Sequence, residues 1–206
     1  MRGLGAVAVF FGLTLLIPQV TFSEERVVKS LLEMRQQGVV IQQWDLSCGA
    51  AALATILRYE YDDPATEREI ARGLINRKEY LANPTLVKSR EGFSLLDLKR
   101  YVDAHGYEGV GYGSLSLADL IEQAPILVPV NFYGYNHFVV FRGIRGNRVL
   151  LADPGYGNRT MLVGQFEDAW LNYPQVGRVG FVVQRPNGPP PSNHLAPRDE
   201  DFLFLR

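Results

Sequence analysis

The 206-residue chain contains one cysteine, three histidines, three methionines and two tryptophans. One cysteine cannot close an internal disulfide, so Cys48 is either a free thiol or half of an intermolecular bridge. His105, His137 and His194 show no Cys-x2-Cys or His-x3-His spacing, and on that ground zinc is set aside and no metal or cofactor is expected. Neither sign of charge is in excess: 21 basic against 22 acidic residues leave a formal net charge of −1, which excludes a basic field that would attract nucleic acid. No internal repeat is visible, and the length suits one domain with a tail.

Long apolar runs are also missing, with one exception. Residues 1–23 carry Arg2, an apolar stretch over 4–17, Pro18 and a polar end at Thr21-Phe22-Ser23, which reads as a secretory signal peptide and predicts a periplasmic protein. The competing reading is an uncleaved membrane anchor, because the end lacks a clean small-x-small pattern; against it, the apolar stretch is short for a span. At the other end, residues 185–206 hold Pro186, Pro189, Pro190, Pro191 and Pro197 and are expected to form an extended or disordered tail. His194 should be solvated there, while Phe202-Leu203-Phe204-Leu205 is apolar enough to dock on the domain or on a partner.

Between these ends the pattern is helices first and strands second, which predicts an α+β fold. Apolar residues at helical spacing predict a helix over 25–36, closed by Gly38, followed by an extended piece at Val39-Val40-Ile41. Thr66 with Glu69 forms a capping box for a helix through Ile75, and Ser94 caps an amphipathic helix stopped by Gly106, with His105 in its last turn in a structural role. Residues 76–92 look like a polar surface excursion able to border a cleft. Ser116 and Asp119 start a short helix ending near Gln123. From Pro125 onward, strands are predicted over 126–130, 137–141, 149–152, 159–163 and 179–184, with turns at 133–136 and 146–147 and a helical turn over 166–171.

Chemistry concentrates at Gln42-Gln43-Trp44-Asp45-Leu46-Ser47-Cys48-Gly49-Ala50-Ala51. Cys48 stands at the mouth of an alanine-rich helix, where free N–H groups and the positive dipole end favour the thiolate. The plain alternative is a small buried core cysteine. His137 opens the apolar run His-Phe-Val-Val-Phe, and Asp153 ends the next strand, so adjacent antiparallel strands bring a base and an orienting carboxylate together. Gln42, six positions before Cys48, can donate its side-chain amide beside the Cys48 N–H to form an oxyanion hole. Trp44 is read as a cleft wall, Tyr133 and Tyr135 as rim aromatics beside His137, and Trp170 as either rim or packing.

Gln-x5-Cys-Gly-Ala-Ala followed by His-Phe-Val-Val and Asp-Pro resembles the C39 cysteine peptidases, the double-glycine leader peptidases with a papain-like fold, over residues 37–184. The resemblance implies a peptidase domain at 24–184, with Gln42 as oxyanion donor, Cys48 as nucleophile, His137 as base and Asp153 as orienting acid. Ser47 departs from the family's usual Asp at that position. The chain has no room for the ATP-driven exporter that most members precede, so no ATP is expected; it looks like the stand-alone exported form, some of whose members accompany functional-amyloid secretion systems. The partner implied is an exported peptide or protein substrate, cut after small residues such as Gly-Gly, with secretion- or amyloid-system components nearby. Two other outcomes stay open from the residues: a leader-binding or secretion accessory module without turnover, and an acyl or amide transferase using the same thiolate.

Overall fold

The computed structural model describes residues 29–89 and 91–204, with side chains up to Phe202. The signal peptide expected at 1–23 lies outside the described residues. So does the start of the helix expected over 25–36, of which the structure shows α1 at Leu31–Gln36, begun by a Ser30/Glu33 capping box. Among the described residues no helix is long and apolar enough to cross a membrane.

Helix α2 (Cys48–Tyr61) is the centre of the molecule. Its Ala50 to Leu53 run is fully buried, because small side chains let neighbouring elements approach the helix axis closely. Two helices pack against it, α3 (Glu67–Ile75) and α6 (Leu95–Asp103), and between them the excursion expected over 76–92 holds two short helices, α4 (Lys78–Ala82) and α5 (Thr85–Ser89). Capping boxes at Thr66/Glu69, Ser94/Asp97 and Ser116/Asp119 start α3, α6 and α7 (Leu117–Gln123), as the sequence predicts.

The sheet comprises β1 (Glu108–Tyr112), β2 (Ile126–Phe132), β3 (Tyr135–Arg145), β4 (Arg148–Asp153), β5 (Gly157–Leu162) and β8 (Gly180–Gln184), in the order β1-β8-β2-β3-β4-β5. Every pairing is antiparallel. Alternation places Leu127, Val140, Phe181 and Val183 toward α2, while Ile126, Val128, Val139 and Phe141 face the other way. That second face is covered by α7 and by α8 (Val163–Ala169), whose Phe166 stacks on Trp170. The resulting helix-sheet-helix layering is the α+β architecture expected. A small hairpin of β6 (Asn172–Tyr173) and β7 (Gly177–Arg178) projects beside the sheet.

The C-terminal segment differs from the disordered alternative. Residues 186–197 have no helix or strand, in keeping with their prolines, but they are bound to the domain. Ser192 N–H donates to Glu60 O at 2.7 Å, Leu195 N–H donates to the Glu60 carboxylate at 2.8 Å, and buried Arg142 Nε donates to Leu195 O at 2.8 Å. Leu195 is completely buried in the α2 core, and Pro197 lies over Gly143, where a Cβ would come within 2.7 Å of the proline ring. A last helix, α9 (Asp199–Phe204), puts Phe202 against Leu150. His194 is exposed, as expected.

Candidate active site

Cys48 is the first residue of α2 and is 3% exposed. Ser47 occupies the N-cap but does not cap: its hydroxyl points to Trp44 O at 2.6 Å and to Glu67 Oε1 at 2.5 Å, leaving the first N–H groups of α2 without a side-chain acceptor. Gly49 lets β3 come close, since a Cβ there would sit 3.2 Å from the Phe138 ring, tighter than an ordinary contact. That contact brings the residue next to His137 onto the first turn of α2.

His137 enters from β3 and Asp153 from the end of β4, strands held in register by pairs such as Val140 with Ala152. Both side chains are buried, and His137 Nε2 lies 2.7 Å from Asp153 Oδ1. Asp153 Oδ1 also accepts the Gly155 N–H at 2.9 Å, while Arg159 approaches Oδ2 at 3.4 Å, so the carboxylate is fixed from three directions. With Nε2 committed to Asp153, the other ring nitrogen is the informative one. Nδ1 is buried and makes no aligned hydrogen bond, yet the Cys48 thiol is close enough to act on the imidazole's titration. Such a loose thiol–imidazole contact is ordinary in a substrate-free site. Burial alone would lower the His137 pKa; the bonds to Asp153 and the proximity of Cys48 outweigh it and hold the pKa up at about 9.

Gln42 is half-buried on the extended piece before the loop. Its backbone N–H donates to Pro154 O at 2.9 Å, tying it directly to the residue after Asp153. Its Nε2 donates weakly to Trp44 O at 3.4 Å, and its Oε1 is buried without a partner. The structure therefore brings Cys48, His137 and Asp153 together and ties the Gln42 backbone to the residue after Asp153.

A cavity of about 710 Å³ opens from Cys48 and His137. Its walls are Phe93, Leu95 and Leu96 on one side and Pro129, Leu171, Val176 and Val179 on the other, so it is chiefly apolar. Glu91 and Gly92, from the end of the excursion, lie on its rim, and Asn136 donates to the Glu91 carboxylate at 2.8 Å. The excursion thus borders the cleft. Trp44 does not form its wall: it lines a separate hollow of about 320 Å³ against α3, with Arg68 over its ring. Tyr135 stands 6.0 Å from the His137 ring as a rim aromatic, whereas Tyr133 is fully exposed at the hairpin tip and Trp170 is a core residue donating to Val179 O. His105 stacks on Tyr101 and its Nδ1 is 2.7 Å from Tyr101 O, a local structural role.

A buried cysteine at a helix mouth and an imidazole locked on a carboxylate sit in a fold of the papain-like cysteine peptidase class. The chain matches the Peptidase C39 family over residues 36–174 and belongs to that family. Among individual proteins, it is 38% identical over 144 residues to "Probable functional amyloid protease FapD" of Pseudomonas aeruginosa, covering 69% of this chain and 61% of that protein. It is 37% identical over 143 residues to the protein of the same name from Pseudomonas fluorescens, with the same shares covered. The chain thus spans about 61% of the length of these relatives. Two solved structures share the fold, each with a TM-score of 0.55. One is a double glycine motif protease from an AMS/PCAT transporter in complex with its leader peptide, at 23% identity over 71% of this chain and 90% of that one. The other is the peptidase domain of Streptococcus ComA, a bifunctional ABC transporter, at 17% identity over 71% and 96%.

Proposed function

We propose that this C39 peptidase is an exported, periplasmic cysteine endopeptidase that cleaves a peptide segment of another exported protein, within a functional-amyloid secretion system. The observation that carries the reading is the line Cys48–His137–Asp153, in which Nε2 is spent on the carboxylate and a buried, unpartnered Nδ1 is left on the thiol side. In the first step His137 takes the Cys48 proton and Sγ attacks the scissile carbonyl carbon, while the Gln42 amide and the N–H at the mouth of α2 stabilise the oxyanion. The C–N bond then breaks, His137 gives its proton to the departing amine, and a thioester on Cys48 remains. Water, deprotonated by His137, hydrolyses the thioester and restores the thiol. Asp153 holds the ring for both transfers.

The reading extends to specificity. The expected cut follows two small residues, as it does wherever the subsites next to a nucleophile are too narrow for a side chain that extends beyond Cβ. Small residues bury little apolar area, so affinity must come from elsewhere on the substrate, and the apolar cavity beside Cys48 suits a segment upstream of the cut. The names of the Pseudomonas relatives support an amyloid-system substrate. A peptide panel varying the two residues before the cut, with and without an upstream amphipathic segment, tests this. That segment should raise kcat/KM more than about tenfold, and Cys48→Ala should abolish turnover. Equal cleavage of bulky and small variants would refute such narrow subsites; binding without cleavage would make the protein an accessory module.

A further inference from the structure

The loop between the amide donor and the nucleophile, Gln43 to Ser47, is strained and short of its own support. Leu46 adopts φ +66°, a left-handed conformation that a bulky residue rarely takes and that persists only when the surroundings impose it. Besides the close approach of Gly92 to Leu46 O, the polar groups at the two ends of the loop are held by one carboxylate. Glu67, on the first turn of α3, is only 4% exposed, and its oxygens receive the Gln43 N–H at 3.0 Å each and approach the Ser47 hydroxyl at 2.5 Å. Ser47 in turn reaches Trp44 O, the same carbonyl that accepts the Gln42 side-chain amide. Ser47 shares its one hydroxyl proton between Glu67 and Trp44 O, and so links Glu67 to the carbonyl that accepts Gln42 Nε2. A second contact fixes the backbone immediately after Gln42. Burying a carboxylate here costs solvation that an apolar residue would not forfeit, and its acceptors are directed at this one loop.

We propose that Glu67 is a positioning residue for the oxyanion hole: it holds the Gln43–Ser47 loop so that the Gln42 amide is aimed at the carbonyl oxygen under attack by Cys48. The proposal rests on the peptidase reading above and names a residue that acts through Gln42 without touching substrate. Glu67→Gln keeps the size and the acceptor that Oε1 offers to the Gln43 N–H and the Ser47 hydroxyl, but puts an NH2 group where Oε2 accepts the Gln43 N–H, setting donor against donor and removing the charge.

The test compares Glu67→Gln, Gln42→Ala and the double variant in the full chain, with thermal melting to confirm folding. Glu67→Gln should lower kcat on the order of tenfold with KM within about twofold, since even sub-ångström misplacement of a catalytic group is costly. In the Gln42→Ala background the same substitution should add nothing, because the group it aims is gone. Iodoacetamide, which forms no oxyanion, should alkylate Cys48 at the same rate in wild type and Glu67→Gln. Full kcat in Glu67→Gln, an equal loss in alkylation, or an undiminished effect beside Gln42→Ala would each overturn the proposal. If the wild type cleaves none of the panel, the peptidase reading falls, and the side-chain amide resonances of Gln42 decide the positioning role separately. One fixed pair in the wild type that broadens in Glu67→Gln supports it, and unchanged resonances refute it.

Discussion

At the residue scale, His137 governs the response to pH. Its folded pKa of about 9 stands above the ordinary histidine value near 6.5, so its interactions stabilise the native state fully below that ordinary value and the contribution is lost as pH rises through about 9. The difference corresponds to on the order of 3 kcal/mol. Urea denaturation should therefore show stability falling between pH 7 and 9 in the wild type, with a flatter profile in His137→Ala. Because His137 must carry its proton to serve the leaving group, kcat/KM should show an alkaline limb near pH 9. Asp153→Asn removes a carboxylate that raises the histidine pKa and should move that limb to lower pH, read by imidazole NMR and by rate profiles. Gln42→Ala should lower kcat by about 10²- to 10³-fold and leave KM nearly unchanged, because its donor acts mainly on charge that develops in the transition state. These four residues were legible in the sequence because each carries a local signal: a thiol before an alanine-rich helix, a histidine opening a strand, an aspartate closing one, and a glutamine at fixed spacing. Glu67 was not legible, because the capping box beside it already explained the helix and its partners, Gln43 and Ser47, lie 24 and 20 residues away.

At the scale of elements, the excursion over 76–92 is anchored through Asp97. This 3% exposed carboxylate on α6 accepts the Tyr80 hydroxyl at 2.5 Å, the Ser94 N–H at 3.0 Å and the Ser94 hydroxyl at 2.8 Å, and pairs with Arg77. Asp97→Asn should lower unfolding stability by about 2–3 kcal/mol, measured by urea titration, because hydrogen bonds to a charged group are the stronger kind. Leu195→Ala should cost about 2–5 kcal/mol as a core truncation, although it lies in a segment without helix or strand. Capped helices and turn-bounded strands were read from sequence because their signals are contained within a few residues. Strand β1 was not: Glu-Gly-Val-Gly-Tyr has two glycines and little strand propensity, and its state comes from pairing with β8, as at Val110 with Val182. The proline content agrees with the lack of helix or strand over 186–197, but the expectation of no regular structure over 185–206 missed α9 at Asp199–Phe204. It could not reveal docking, since the partners Glu60 and Arg142 lie far back in the chain.

At the scale of the whole molecule, the strand order places β8 between β1 and β2, so the strand nearest the C-terminus fills an interior position of the sheet. The family match stops at residue 174, before that strand begins. A fragment covering 29–178 should therefore lack cooperative unfolding by circular dichroism, whereas 29–204 should unfold in one transition. Val176 and Val179, which wall the cavity, also lie late in the chain. A consequence follows for biosynthesis. A nascent chain acquires its thiol early but cannot assemble the groove around it until β8 has left the ribosome and paired, a non-local step of the kind that slows folding. Until that pairing is made, Cys48 stands without the cavity that β3 and the segment leading into β8 build beside it.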